Sequence, residues 1–373
     1  RGNVKLSDNT TSEVVYRRSR TCGCIGKVPE RSIQTGGIMK KIRLVGVVAP
    51  RRRLVAACAA LTIVLGITVA GPAVAAPGFD DRAAAALAAA PVKTRVLDDV
   101  AAKSSDVADV PTDPEEGIGL ESGLGTKLEI SLPFGEEASD GVSVEGGGIA
   151  YDNRNGSLTV PVTKTDGSVQ ITTVIEHSNA PIAYSYDLTG ASELTLTLFD
   201  DGSVVLHDAD GGYAGGVAPP WAYDAVGDPV KTWYEVSGLT LTQIVAHDSD
   251  SPAYPIVADP WLGINLFGTI SVDSVQGQPR VNLTPSPWGY AQWGTVSGLV
   301  IMNTAGWDEA WTRSASIQSA LNKPSQRQQF ECHALGSPFA GTWNLEKFRV
   351  NRTTSWTFGV AIHRCNWTTA TQY

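Results

Sequence analysis

From about residue 126 the apolar residues recur at every second position, and Asp-Gly or Asn-Gly pairs punctuate the runs. Leu158-Thr159-Val160-Pro161-Val162 and Val169-Gln170-Ile171-Thr172-Thr173 flank Asp166-Gly167. Leu194-Thr195-Leu196-Thr197-Leu198 and Val204-Val205-Leu206 flank Asp201-Gly202, and Asn155-Gly156 marks a further turn. Glycine supplies the left-handed backbone that a tight hairpin needs, and strict alternation turns one side of each strand to a core. Residues 126–260 are therefore expected to form an antiparallel, sandwich-like all-β module, closing near Tyr254-Pro255-Ile256-Val257-Ala258-Asp259-Pro260.

The last third reads differently. Short strands are expected over 264–301, around Pro285-Ser286-Pro287. Trp307, Trp311, Ser314 and Leu321 share one face of a helix over 305–321, with Asp308 and Glu309 in its first turn. Ser325 and Gln328 have the spacing of a capping box that opens a second helix through Cys332. Residues 355–365 alternate as a strand with Trp356, Phe358, Val360 and Ile362 on one face. The fold class is thus α+β: the all-β module, then a small α+β domain over 261–373.

The N-terminal side reads as an address. The first methionine is Met39, so residues 1–38 are expected to be a mis-annotated upstream extension. Lys40, Lys41, Arg43 and Arg51-Arg52-Arg53 precede the apolar stretch Leu54–Val69, and Ala73-Val74-Ala75 has the small residues of a cleavage site. Residues 39–76 therefore read as a signal peptide of an exported protein, with an N-terminal membrane anchor as the alternative. Arg51-Arg52 before Leu54-Val55 also fits the twin-arginine route, although the general route is favoured. Residues 77–125 are rich in alanine, Asp and Pro and are expected to be a flexible spacer.

Charge is unevenly placed. Residues 77–260 hold 8 Lys/Arg against 30 Asp/Glu, whereas 261–373 hold 8 against 5. An acidic module of that size argues against nucleic acid as a partner. Membrane association is expected only through the export signal.

Chemistry-bearing residues concentrate near the C-terminus: Glu331-Cys332-His333, Trp343-Asn344-Leu345-Glu346 and His363-Arg364-Cys365-Asn366-Trp367. Once a signal is removed, Cys332 and Cys365 are the two cysteines left, and exported chains keep such pairs oxidised. A bridge is expected to staple the second helix to the last strand. His333 or His363 beside Glu346 could form the general-base pair of a secreted hydrolase, but no nucleophile elbow stands beside them. The competing reading is of partly buried histidines, with Glu346 paired to Arg349 or Lys347. His363 and Cys365 could contribute to a zinc site, but two thiolates outside the cell favour oxidation. Acidic turns such as Asp208-Ala209-Asp210-Gly211 lack the closing glutamate of a calcium loop. No metal or cofactor is expected. Trp288, Tyr290 and Trp293 lie in a Pro/Gly-rich stretch, where exposed rings could stack on a glycan or a partner surface.

Two stretches resemble a group of secreted actinobacterial proteins. Gly216-Val217-Ala218-Pro219-Pro220-Trp221-Ala222-Tyr223-Asp224-Ala225 with Ala253–Trp261 looks like the end of their β-rich module. The Cys332-His333, Trp343-Asn344-Leu345-Glu346 and Cys365-Asn366 set looks like their terminal module, domain of unknown function 2599. Trp367 departs from the pattern, where proline is expected. The resemblance implies export and supplies no reaction. The expected function is a non-catalytic extracellular or cell-envelope binding protein, with an envelope glycan or a surface protein as partner. The alternative is a secreted hydrolase of envelope polymer.

Overall fold

A computed structural model describes residues 77–101, 108–145, 148–248, 251–336 and 341–372. The expected upstream extension and export signal lie outside these residues. The chain begins with α1 (Phe79–Ala89), β1 (Ala108–Asp109), β2 (Ile118–Glu121), β3 (Lys127–Ile130), β4 (Val142–Ser143), β5 (Ile149–Asp152), β6 (Ser157–Thr163) and β7 (Val169–Ile175). It continues through β8 (Ala183–Gly190), β9 (Thr195–Leu198), β10 (Val204–His207), β11 (Tyr213–Val217), β12 (Ala222–Tyr223), β13 (Thr232–Ser237), β14 (Thr240–Val245), β15 (Ile256–Ala258) and β16 (Trp261–Gly263). The last third holds β17 (Phe267–Val275), β18 (Gln278–Pro285), α2 (Pro287–Trp293), α3 (Gly298–Asn303), α4 (Ala305–Thr312), α5 (Ala315–Ala320), α6 (Pro324–Gly336), β19 (Trp343–Glu346) and α7 (Val360–His363).

Two antiparallel sheets face each other as a sandwich. One has six strands in the order β1-β2-β3-β8-β14-β13. The other runs β4-β5-β6-β7-β16-β11-β10-β9, with β15 also pairing β7 and β12 pairing β15. Their inner faces share one core, in which Ile118, Ile130, Tyr184, Tyr186 and Leu241 meet Val169, Ile171, Val204, Leu206 and Leu262. Three turns carry the same device. Asn155, Asp166 and Asp201 each accept the backbone N–H and the hydroxyl of the serine two residues on, at 2.6–3.1 Å. The intervening Gly156, Gly167 and Gly202 have φ of 83–85°, a backbone that glycine adopts without penalty.

The second sheet is covered on its outer face as well, which makes β6 and β7 buried along their whole length. Over β5–β7 and β15 the cover is α1, whose Ala83, Ala86 and Leu87 pack on Leu158, Val160, Val162, Val174 and Val257. Alanine lets helix and sheet approach closely. The described residues of 77–125 are therefore not a spacer: they supply this helix and two strands of the first sheet. Lys164, 2% exposed, secures the connection by donating to the Arg95, Val96 and Asp98 carbonyls. Burial lowers its pKa to about 8.

Over β10, β11 and β16 the cover is the C-terminal unit. Because β16 pairs both β7 and β11, the β-module extends to Gly263, past the expected boundary at 260. Gly216 and Gly263 lie opposite each other in register and make a flat floor for the Trp288 indole. A Cβ added at Gly263 would sit 2.5 Å from that ring. The second carboxylate oxygens of Asp166 and Asp201 accept from the Trp288 and Val296 backbone N–H at 2.8 and 2.7 Å. Buried Glu309 on α4 accepts from the N–H groups of Leu266 and Phe267, at the start of β17.

The C-terminal unit is a three-stranded sheet, β17-β18-β19, packed under helices. Several local expectations are corrected here. The strands expected around Pro285 continue as one hairpin, but Pro287 begins a helix, capped by Ser286 Oγ on Gly289 N–H. The helix expected over 305–321 is broken by Ser314, whose extended backbone and hydroxyl cap α5. Ser325 lies inside α6, and its N–H is met by Asn351 Oδ1, so no capping box forms. Residues 355–365 form turns and the short α7, not a strand.

Two predictions follow from these buried groups. Trp288→Ala removes a ring that is 1% exposed and should cost about 3–5 kcal/mol in urea unfolding. Asp259, fully buried between β15 and β16, accepts from Trp221 N–H and Gln243 Nε2 at 2.9 and 3.1 Å. Burial holds its carboxyl well above the usual range and pushes Glu309 up to about 7. The folded state thus binds these protons more tightly than the unfolded chain. Their stabilisation is present below the unfolded carboxyl values and is lost as pH rises through the folded ones. Unfolding free energy should fall between pH 5 and 8, and Asp259→Asn should flatten that fall and raise stability at pH 8. An unchanged slope in this variant would remove Asp259 as a cause.

Candidate functional site

Helix α6 and strand β19 position the C-terminal constellation. β19 is an edge strand, and α6 supplies hydrogen bonds that a fourth strand would have made. Gln329 donates to the Glu346 carbonyl and accepts from its N–H at 3.1 and 2.8 Å. Gln326 donates to the Leu345 carbonyl at 3.1 Å, and Gln328 does for Arg352 what Gln329 does for Glu346. Gln326 and Gln329 have no exposed surface. Their run, Gln326-Arg327-Gln328-Gln329, was a legible signal: amides buried in a helix need partners.

This arrangement does not gather the expected catalytic residues. In β19, Trp343 and Leu345 face α6 and the core, while Asn344 and Glu346 point to the opposite face. His333 stacks on Trp343, with ring centroids 5.5 Å apart and planes 9° from parallel. Glu346 stands across from Arg280 in register and pairs with Arg349 Nε at 2.6 Å. His333 and Glu346 are therefore separated by the strand itself.

His363 is also committed. Its Nδ1 accepts the Cys365 backbone N–H at 2.9 Å, which assigns the proton to Nε2, 2.9 Å from the Trp356 carbonyl. Burial lowers its pKa, favouring the neutral ring. With both nitrogens engaged, it orders the chain around the disulfide and has no free lone pair for base catalysis. The set His333, Glu346 and His363 is corrected from a catalytic cluster to three structural roles.

Cys332 and Cys365 form the expected bridge, with Cα atoms 5.5 Å apart. It joins α6 to an irregular C-terminal segment, not to a strand. Arg352 organises that segment, donating to the carbonyls of Thr354, Ser355, Phe358 and Gln372.

The aromatic platform is corrected too. Trp288 is buried against the β-module with its Nε1 on the Tyr213 hydroxyl. Trp293 is half-buried and donates to the Ala334 carbonyl at 3.0 Å, and Tyr290 is half-buried on the same helix. Pro287 starts a helix here, so side chains spaced for a loop surface are distributed around an axis, and Trp288 points inward.

A different concavity carries ligand-like character. Beneath α1, on the outer face of the ten-stranded sheet, lies a pocket of about 350 Å³. Val174, Val257 and Tyr223 form one row across β7, β15 and β12, by register, as its floor. Ala85, Ala86, Ala89 and Ala90 make the helical wall, and Tyr254 and Pro255 close another side. At the rim Arg82 pairs with Glu176. Apolar walls with a few polar groups, at this volume, are the usual form of a small-molecule site. The alanine run was its sequence signal, but only docking on the sheet turns small side chains into a cavity wall.

No family model matches the chain, and no curated protein does.

The bridge closes a 33-residue separation. On the chain-entropy account, Cys332→Ala with Cys365→Ala should cost about 3–4 kcal/mol in urea unfolding. Alkylation of both thiols in the native protein without reduction would contradict the bridge.

Proposed function

We propose that this chain is an exported, non-catalytic binding protein that holds a small, mainly apolar ligand in the pocket beneath α1. The observation that carries this reading is the pocket itself: about 350 Å³, walled by alanine, valine, tyrosine and proline. Its walls rest on a sandwich that is packed on both sides, so the site is formed before a ligand arrives and binding carries little ordering cost. Support for export comes from the basic, apolar and small-residue succession over 39–76 and from the resemblance to secreted actinobacterial proteins. The Cys332–Cys365 bridge is in keeping with an oxidising compartment. His333 and Glu346 lie on opposite sides of β19 and both ring nitrogens of His363 are engaged, which favours the binding reading over the hydrolase alternative.

Titration with naphthol, a neutral fluorescent ring compound, tests the reading. A single saturable site is expected, abolished by Ala89→Trp, which places an indole at the exposed rim of the α1 wall. Binding that survives Ala89→Trp, or no saturable binding, would refute it.

A further inference from the structure

The pocket's rim has more spare donors than spare acceptors, and this asymmetry selects a ligand. Two carboxylates line the pocket. Glu176 gives its Oε1 to Arg82 and so has its charge paired. Asp224 is taken by its own turn, where Oδ1 accepts from the N–H groups of Val226 and Asp228 at 3.1 and 2.9 Å and Oδ2 accepts from Ala253 N–H at 3.0 Å. The Tyr254 hydroxyl is engaged by His247 Nδ1 at 2.9 Å. The cations are less committed. Arg82 uses Nη1 on Glu176, and a guanidinium carries five N–H donors. Lys93 lies just outside the lining, two residues after the lining Pro91, with its ammonium 4.0 Å over the ring of Tyr223, a floor residue, and makes no hydrogen bond among the described residues.

On the binding reading above, we infer that the pocket takes an amphiphile with an anionic head, its carboxylate on Arg82 with Lys93 alongside and its apolar body along the alanine face of α1. A guanidinium already held by one carboxylate is pre-oriented for a second, and the shared charge-assisted bonds are the strong kind. The cavity of about 350 Å³, at about 30 Å³ per water-sized group, holds about a dozen heavy atoms. That is a medium-length acyl chain with its carboxylate, or an aryl acid of similar size. The −22 balance of residues 77–260 opposes anions at long range, so this preference must come from rim contacts and should persist when salt screens the wider field.

The test compares decanoate, decanol and decyltrimethylammonium, the two ions below their micelle-forming concentrations and decanol below its solubility limit, by calorimetric titration of the full chain at low and high salt. Decanoate is expected to bind at least tenfold more tightly than either comparator, with one site, and Ala89→Trp should abolish all binding. The paired variant Arg82→Gln/Glu176→Gln, which removes both charges together, should remove most of the decanoate advantage over decanol, leaving the part that Lys93 supplies, while decanol is unchanged. Lys93→Gln should weaken decanoate alone. Decanol binding as tightly as decanoate, or the ammonium compound binding best, would overturn the anionic head and leave the binding reading intact. No binding by any of the three, or binding indifferent to Ala89→Trp, would overturn both. Should the paired variant fail to fold, the three-ligand comparison on the parent chain still decides.

Discussion

The seat of Trp288 on Gly216 and Gly263 is the contact on which the arrangement of the last third depends. Two facing glycines in neighbouring strands remove the side chains that would hold a helix off the sheet. The indole fills that space edge-on to Trp261, at 5.8 Å between ring centroids. Directional bonds surround the apolar contact. Asp166 and Asp201 each use one carboxylate oxygen to close their own hairpin and the other to hold backbone of the C-terminal unit. Asn155 closes its turn in the same way but has no second carboxylate oxygen to offer. A turn residue thus sets both strand register and the docking of a unit 95 to 122 residues away.

Side-chain polar groups hold much of the main chain of the C-terminal unit. Gln326, Gln328 and Gln329 serve main-chain groups of β19 and the segment after it, and Arg352 gathers four carbonyls from chain that has no regular ladder. Backbone groups buried without a sheet or helix must find partners elsewhere, and one guanidinium can meet several carbonyls at once. The disulfide adds a covalent limit to the same segment. Together they explain how Arg364 and Cys365 keep left-handed backbones, φ 46° and 68°, that cost non-glycine residues energy. Lys164 in the β-module shows the same logic, its ammonium binding carbonyls of the loop after α1.

Much of the sandwich was legible because its signals are local. Asp-Gly and Asn-Gly turns and the alternation around them are set by backbone conformation and by one buried face, both properties of a few consecutive residues. The pairing of Cys332 with Cys365 was legible from the count of cysteines after residue 76, given the expectation of export. The misreadings share a cause. Trp356, Phe358, Val360 and Ile362 alternate like a strand, yet the chain there turns and coils, with the Thr354, Ser355 and Phe358 carbonyls met by Arg352 and not by a neighbouring strand. The alanines of α1 looked too small to build a core, yet a helix lying on a finished sheet needs small residues. His333 and Glu346 were near in sequence to a common bridge, and the alternation of β19 places them on opposite faces.

What the sequence determined by itself was the class of the molecule: an acidic antiparallel β-module, a smaller α+β unit and a bridge between two named cysteines. These follow from period, turn chemistry and composition, which act over short stretches. Only the tertiary structure decided which faces of the second sheet are covered and by what, which tryptophan is a keystone, and where a cavity remains. Those outcomes depend on the fit between surfaces far apart in the chain, such as glycine against indole and alanine against valine. No single stretch of sequence carries that complementarity.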